Sequence, residues 1–460
     1  MSWLDYGLKT SYNKSRTAIV ILFLLFVLMF ANPFINFDVT IHGNVTSTNK
    51  LLSPNKSYNV CSIYTGWYMD NTTTPLLKLN QSRYLLPILK NGPNNQLSGL
   101  RDAVYLCIKL NRTLVLPKFY KHRTDTDPGL EVNQAHRIDI RHFRKLISFV
   151  TYDEFRLRCH GNINAVFRVR NVSITRYRSY EDRIHMKILQ DKHNLRPDVI
   201  EYPVNPQLMK KRILSLEPRL DVVKRYYGSE IPCAIYAEPF GNIQFNHYAV
   251  EGEEPKVINT TDDPRLYTQI VRFTKPPPHV ADITSSFIYD VIKSDYVTVH
   301  WRYDKSDWMS SCNNQRANAN RMKLCDKIRS ITPDDVSDGI IRGIDDVINR
   351  CNCNVIHNVY IASPPSQYPL MTKLQQILHN RHNVTMHYGK HLHDYILHNF
   401  GQCSWLRQNF NDILSTIEMQ LCINSKVFYR ATASSWSNNV VMLRQRQLFD
   451  RPFLSLIKNL

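Results

Sequence analysis

The chain has 460 residues, 43% of them hydrophobic and 11% aromatic, with a formal net charge of +19 at pH 7. These proportions exclude a disordered or low-complexity protein, and the length exceeds what one simple core organises. No tandem repeat is visible.

In chain order, the first feature is apolar. Thr17 to Ala31 read TAIVILFLLFVLMFA, with no charge and no Pro. Extended through Phe34 and Ile35, segment 17–37 approaches the roughly 20 residues that a membrane span needs. Lys9, Lys14 and Arg16 precede it, and Asp38 is the first charge after it. The positive-inside rule then places residues 1–16 in the cytosol and the remainder in the secretory lumen. The long apolar core and the lack of a small-x-small site favour an anchor over a cleaved signal peptide. In a lumenal setting the basic excess suits a nucleotide-sugar diphosphate, acidic glycans or anionic membrane rather than nucleic acid, and a solvated basic surface is the plainer reading of most of it.

Residues 38–82 read as a stem. Asn44, Asn55, Asn71 and Asn80 each open an Asn-x-Ser/Thr sequon there, and Asn171, Asn259 and Asn383 do so further on. Asn111 opens one more, at a helix-to-strand junction where modification is not expected. All ten cysteines follow the apolar segment, as an oxidising lumen and several disulfides would require. Cys312 with Cys325 closes a short loop and is the first expected pair. Cys351-Asn-Cys353 lacks the usual zinc spacing.

About 380 residues remain, enough for two domains of ordinary size. A helix is expected over 97–110, followed by a buried strand over 113–117. Residues 255–285, with Pro276, Pro277 and Pro278, show weak periodicity and mark the approach to a boundary. Strands follow at 296–301, 355–362 and 426–429, with helical spacing at 336–350 and 408–423. Strands alternating with helices predict an α/β fold with parallel sheets. The domains are placed at 83–285 and 286–460.

Three segments carry candidate chemistry. Gly92-Pro93-Asn94-Asn95-Gln96 opens the first helix, where free N–H groups attract anions, and Asn94, Asn95 and Gln96 add side-chain amides. An Asn N-cap in an ordinary turn is the plainer reading. His300-Trp301-Arg302 ends a strand, with His300 and Arg302 on one side of it. Arg302 is suited to clamp a diphosphate, or to pair with Asp304 or Asp307. Ser434-Ser435-Trp436-Ser437 follows the strand at 426–429; its hydroxyls suit phosphate, and Trp436 offers either a stacking face or a core side chain.

The order and spacing of these blocks resemble the GDP-fucose protein O-fucosyltransferase superfamily. The matching stretches are GPNNQLSGLRDAVYLCIKLNRTLVLP from Gly92, HWRYDKSDWMSSC from His300, and IEMQLCINSKVFYRATASSWSNNVVMLR from Ile417. The resemblance implies a GT-B fold, two Rossmann-like domains across a cleft, with the nucleotide sugar mainly on the second. It implies inverting transfer of fucose from GDP-fucose without a metal cofactor, to a Ser/Thr hydroxyl of a glycoprotein or to a glycan hydroxyl. Arg302 and Asn95 would be catalytic, and Asn94, Gln96, His300, Ser434, Ser435, Trp436 and Ser437 would bind the donor. With the anchor, this is the layout of a Golgi or endoplasmic reticulum transferase.

Three departures stand out. Pro93 replaces a usual Gly, Trp436 a usual Phe, and Ser363-Pro364-Pro365 follows a strand after which the family often has an acid. They motivate an alternative, a non-catalytic glycan- or protein-binding descendant. Asp304, Asp307 and Glu418 are candidates for a general base by position alone. Asp125-Thr126-Asp127 matches a common metal-site pattern but reads as a solvated loop.

Overall fold

The structure is a computed structural model. It describes residues 73–121, 130–168, 180–196, 200–201, 230–237, 255–303, 319–351, 356–432, 434–444 and 451–457, with isolated positions near 224 and 239–245. The expected anchor and most of the stem lie outside these residues. Among the described residues, no helix is long and apolar enough to cross a membrane.

The strands form two parallel sheets, as the alternation predicted. The first has the order β5-β2-β1-β8-β6-β7. Its strands are β1 (Tyr84–Ile88), β2 (Thr113–Val115), β5 (Phe149–Val150), β6 (Ala165–Arg168), β7 (Ile200–Glu201) and β8 (Cys233–Ala237). A short antiparallel ribbon, β3 (Phe119–Tyr120) with β4 (Glu131–Val132), rises beyond β2. The second sheet has the order β11-β10-β9-β12-β13. It comprises β9 (Tyr296–His300), β10 (Asn358–Ala362), β11 (Thr385–Tyr388), β12 (Val427–Arg430) and β13 (Arg451–Pro452).

Both sheets are covered on both faces, so their strands are almost uniformly buried rather than alternating with solvent. In the first sheet, Leu85, Leu114 and Tyr236 face the core built on helices α1 (Pro93–Leu110) and α2 (Asp263–Phe273), while Leu86, Val115 and Ile235 face the opposite core. In the second, Val297, Val359 and Val427 face helix α4 (Pro333–Cys351). Tyr296, Tyr360 and Phe428 face α3 (Pro278–Phe287), α5 (Gly389–Phe400) and α6 (Phe410–Asn424).

The weak periodicity expected at 255–285 is corrected. Two helices, α2 and α3, occupy most of it, and the prolines act as helix openers: Pro277 is the N-cap of α3 and Pro278 its first residue. Because α3 packs on the second sheet, the change of core falls at these prolines rather than at 285.

Cys159 and Cys233 form a disulfide with each other, and Cys325 and Cys403 are each engaged in a disulfide whose partner is not among the described residues. Cys312, the expected partner of Cys325, lies outside the described residues. Pairing is not universal: Cys107 and Cys422 are buried thiols. Asn111 and Asn383 are exposed left-handed residues that end helices, while Asn80 and Asn259 turn their carbonyl oxygens onto nearby backbone N–H groups. Asn44, Asn55, Asn71 and Asn171 lie outside the described residues.

Candidate active site

In an open parallel sheet, ligands bind beyond the carboxyl ends of strands where the strand order reverses direction. In the second sheet that point lies between β9 and β12. β9 delivers His300 and Arg302 there, and β12 leads into helix α7 (Ser435–Leu443). Ser434 caps α7, its Oγ accepting the Ser437 N–H at 3.3 Å, and the Arg302 guanidinium donates to the same oxygen at 3.4 Å. A cation and a helix start thus converge, the combination that holds phosphate oxygens.

His300 supports this corner from beneath. Its Nδ1 lies 2.7 Å from Ser437 Oγ, which also accepts the Ala431 N–H at 3.1 Å. Burial, and secondarily the neighbouring Arg302, push its pKa down to about 3, so the imidazole is neutral. Ser434 and Ser437 are fully buried, whereas Ser435 at the first helical position is partly exposed. Trp436 takes the core reading. It is 8% exposed, its ring lies 4.3 Å from that of His300, and its N–H donates to Ser415 Oγ at 3.2 Å.

The first sheet has its own reversal, between β1 and β8, and the loop after β1 opens α1 there. Gly92 is the N-cap without any side-chain cap, and Pro93 occupies the first turn. The loss of an N–H at Pro93 is mild for the helix, since that group has no intrahelical partner anyway. Asn95 lies in the first turn of α1, and its Oδ1 is buried and has no hydrogen-bond partner. A buried carbonyl oxygen left so is costly unless a ligand completes it.

Gln96 is a correction. It is 1% exposed, and its Nε2 donates to the carbonyls of Asn91 and Tyr120 at 2.7 and 2.8 Å, while its Oε1 accepts the Tyr120 N–H at 2.8 Å. Its amide therefore anchors β3 to the helix start and is not turned to a donor. Asn94 is drawn into the contact between the halves, where its backbone and side-chain carbonyls accept from Asn439 at 3.0 and 3.2 Å.

Sequence reasoning missed Asn439, whose partners lie more than 300 residues away. It also left Ser363 unread as a side chain. Ser363 follows β10, is 6% exposed, and its Oγ has no hydrogen-bond partner. Arg444, the arginine of the last block, is a clamp on backbone: it donates to the carbonyls of Ile423, Ser425 and Lys426 at 3.1, 3.0 and 3.2 Å. Among the general-base candidates, Glu418 accepts from Tyr360 at 2.8 Å, and burial pushes its pKa up to about 8, so it is largely protonated at neutral pH. Asp304, Asp307, Asp125 and Asp127 lie outside the described residues. Among the described residues, no group of three metal-ligating side chains occurs.

Comparison with known proteins gives the same direction. A crystal structure of POFUT1 in complex with GDP-fucose superposes with a TM-score of 0.52 at 12% identity, covering 80% of this chain and 95% of that one. A POFUT1 structure in complex with GDP gives 0.51 at 15% identity, covering 81% and 98%. These likenesses establish the α/β fold. A search of curated proteins matched none. The family profile described as GDP-fucose protein O-fucosyltransferase matches residues 84–447, and the chain belongs to that family.

Proposed function

We propose that the protein is a fucosyltransferase that takes GDP-fucose as donor and transfers fucose, with inversion, to a Ser or Thr hydroxyl of a protein. The reading includes the GT-B arrangement, a type II membrane anchor, a lumenal catalytic domain in the Golgi or endoplasmic reticulum, and no metal. The observation that carries it is the convergence of Arg302 on the capped start of α7. A guanidinium held there stabilises the diphosphate as the glycosyl bond breaks and charge develops on the leaving oxygen. A preorganised donor in that role lowers the barrier by about 3–4 kcal/mol. Asn95, with its unpartnered oxygen on the facing helix start, would meet the donor near the reacting carbon.

The test uses calorimetry with GDP and GDP-fucose, followed by product analysis by mass spectrometry on peptide and glycan acceptors. The reading expects GDP binding, slow hydrolysis of GDP-fucose, and transfer to peptide hydroxyls. Arg302→Ala should lower turnover by a factor of about 100 to 1,000. Turnover lowered by less than about tenfold would overturn the mechanism. Transfer to a glycan alone would move the acceptor to a sugar hydroxyl. Glycan binding with no heat from GDP would favour the non-catalytic alternative, which the unpartnered Ser363 in place of an acid keeps in view.

A further inference from the structure

Asn439 lies in the second turn of α7 and is completely buried. Its Oδ1 accepts from the Arg101 guanidinium at 2.8 Å, and at 3.2 Å it shares the single Ser98 Oγ proton with the Asn94 carbonyl, 3.1 Å from the same hydroxyl. Its Nδ2 donates to the backbone and side-chain carbonyls of Asn94 at 3.0 and 3.2 Å. Donors face the oxygen and acceptors face the nitrogen, so the partners themselves fix the orientation of the amide. Three of these bonds, to Arg101 and to the two Asn94 oxygens, are unshared, and the Ser98 proton completes the set in part. Arg101, fully buried, passes the connection on to Thr274 Oγ1 at 2.8 Å, at the end of α2.

The position of this amide matters more than its count of bonds. Asn439 stands one helical turn beyond Ser435, and Asn94 immediately precedes Asn95 in the first turn of α1. One side chain therefore ties the helix start approached by Arg302 to the helix start that carries the unpartnered Asn95 oxygen. A buried amide bonded through both of its polar atoms has one low-energy arrangement, since any rotation leaves several partners unpaired.

We propose that Asn439 is a positioning residue that sets the register between Asn95 and the Arg302–Ser434 corner, so that its loss slows turnover far more than it weakens donor binding. The proposal rests on the donor reading above. A displacement of about 1 Å at a reacting centre is enough to cost on the order of 100-fold in rate.

Asn439→Ala and Asn439→Asp test it in the full-length chain. The Asp variant retains an acceptor for Ser98 and Arg101 but loses the donor to Asn94. GDP affinity is measured by calorimetry, and kcat and KM from GDP release during GDP-fucose hydrolysis. The expected result is a fall in kcat of about 10- to 100-fold in both variants, with GDP affinity within about threefold of the parent. If Asn439→Ala does not fold, the Asp variant decides. An unchanged kcat in a folded Asp variant overturns the proposal, as does an equal loss in affinity and kcat, which would mark a purely structural role. If the parent chain itself neither binds GDP nor hydrolyses GDP-fucose, the donor reading fails first and this proposal with it.

Discussion

The two helix starts at the strand-order reversals are built in opposite ways. α7 is finished within the protein: Ser434 caps it, Ser437 is held by His300, and Arg302 leans on the cap. α1 is left unfinished. Gly92 supplies no side-chain cap, Pro93 removes a donor, and the Asn95 Oδ1 has no partner. The first arrangement suits a rigid anion site present before any ligand arrives. The second suits a surface that a bound ligand completes, with Gln96 and Asn439 holding it in place from behind.

The contrast can be broken in order of expected effect. Acid should act hardest on the finished side and on the contact between the halves, where the His136 ring stacks 5.5 Å from that of Trp405 and His279 lies 5.0 Å from the same ring. His300 is held at a pKa of about 3, His279 at about 3 and His136 at about 4, each mainly by burial. Each is lowered from the ordinary value, so the unfolded chain takes up the proton first. Stability is then intact above pH 6.5 and is lost as pH falls toward 3–4, by about 1.4 kcal/mol per pH unit for each imidazole. Thermal melting between pH 7.5 and 4.5 should show that fall, and His300→Gln should flatten it. A melting temperature that rises on acidification would contradict the assignment of neutral buried imidazoles.

Gln96→Ala should come next, with a loss of about 1–3 kcal/mol by chemical denaturation, because the Tyr120 N–H and two carbonyls lose their partner. A surface-like effect below 0.5 kcal/mol would return Gln96 to the donor-contact role expected from sequence.

Asn95→Ala and Ser434→Ala sharpen the comparison directly. The Ser434 change removes a cap and should lower stability by about 1 kcal/mol. The Asn95 change removes an oxygen that no protein group needs, so melting should hardly move while GDP-fucose turnover falls at least tenfold. Reversed outcomes would exchange the roles of the two helix starts. The smallest effect is expected of Gly92→Ser, which supplies the missing cap at an extended N-cap backbone (φ −66°, ψ 163°). It should raise stability by a few tenths of a kcal/mol, measurable by denaturant midpoint.

Much of the scaffold was legible because its signals are local. Strands 296–301 and 426–429 and the helices at 336–350 and 408–423 emerged within a residue or three of the observed bounds. His300 and Arg302 were readable because alternation ending in charge marks a strand's carboxyl edge. What failed depended on distance along the chain. The amide of Gln96 is taken by Tyr120, 24 residues later, and Asn439 reaches back 345 residues to Asn94. Nothing in a local window tells a helix-opening amide that points outward from one that is occupied behind. Trp436 reads equally as a stacking face or a core ring until His300 and Ser415 are seen beside it. The prolines before α3 read from sequence as punctuation near a domain boundary, and Pro is also a favoured helix opener.

The Cys159–Cys233 bond carries a consequence for how the molecule comes into being. β8 arrives late in the chain yet inserts between β1 and β6, next to the strand that leads into the helix start carrying Asn95. The bond joins its first residue to the end of a helix 74 positions earlier, and a crosslink over such a loop restrains the unfolded chain by about 4–5 kcal/mol. Synthesis in a reducing cytosol would therefore yield a chain free to leave that central slot empty, with the first helix start unsupported. Recombinant production through an oxidising secretory route should give folded protein where cytosolic production gives aggregate.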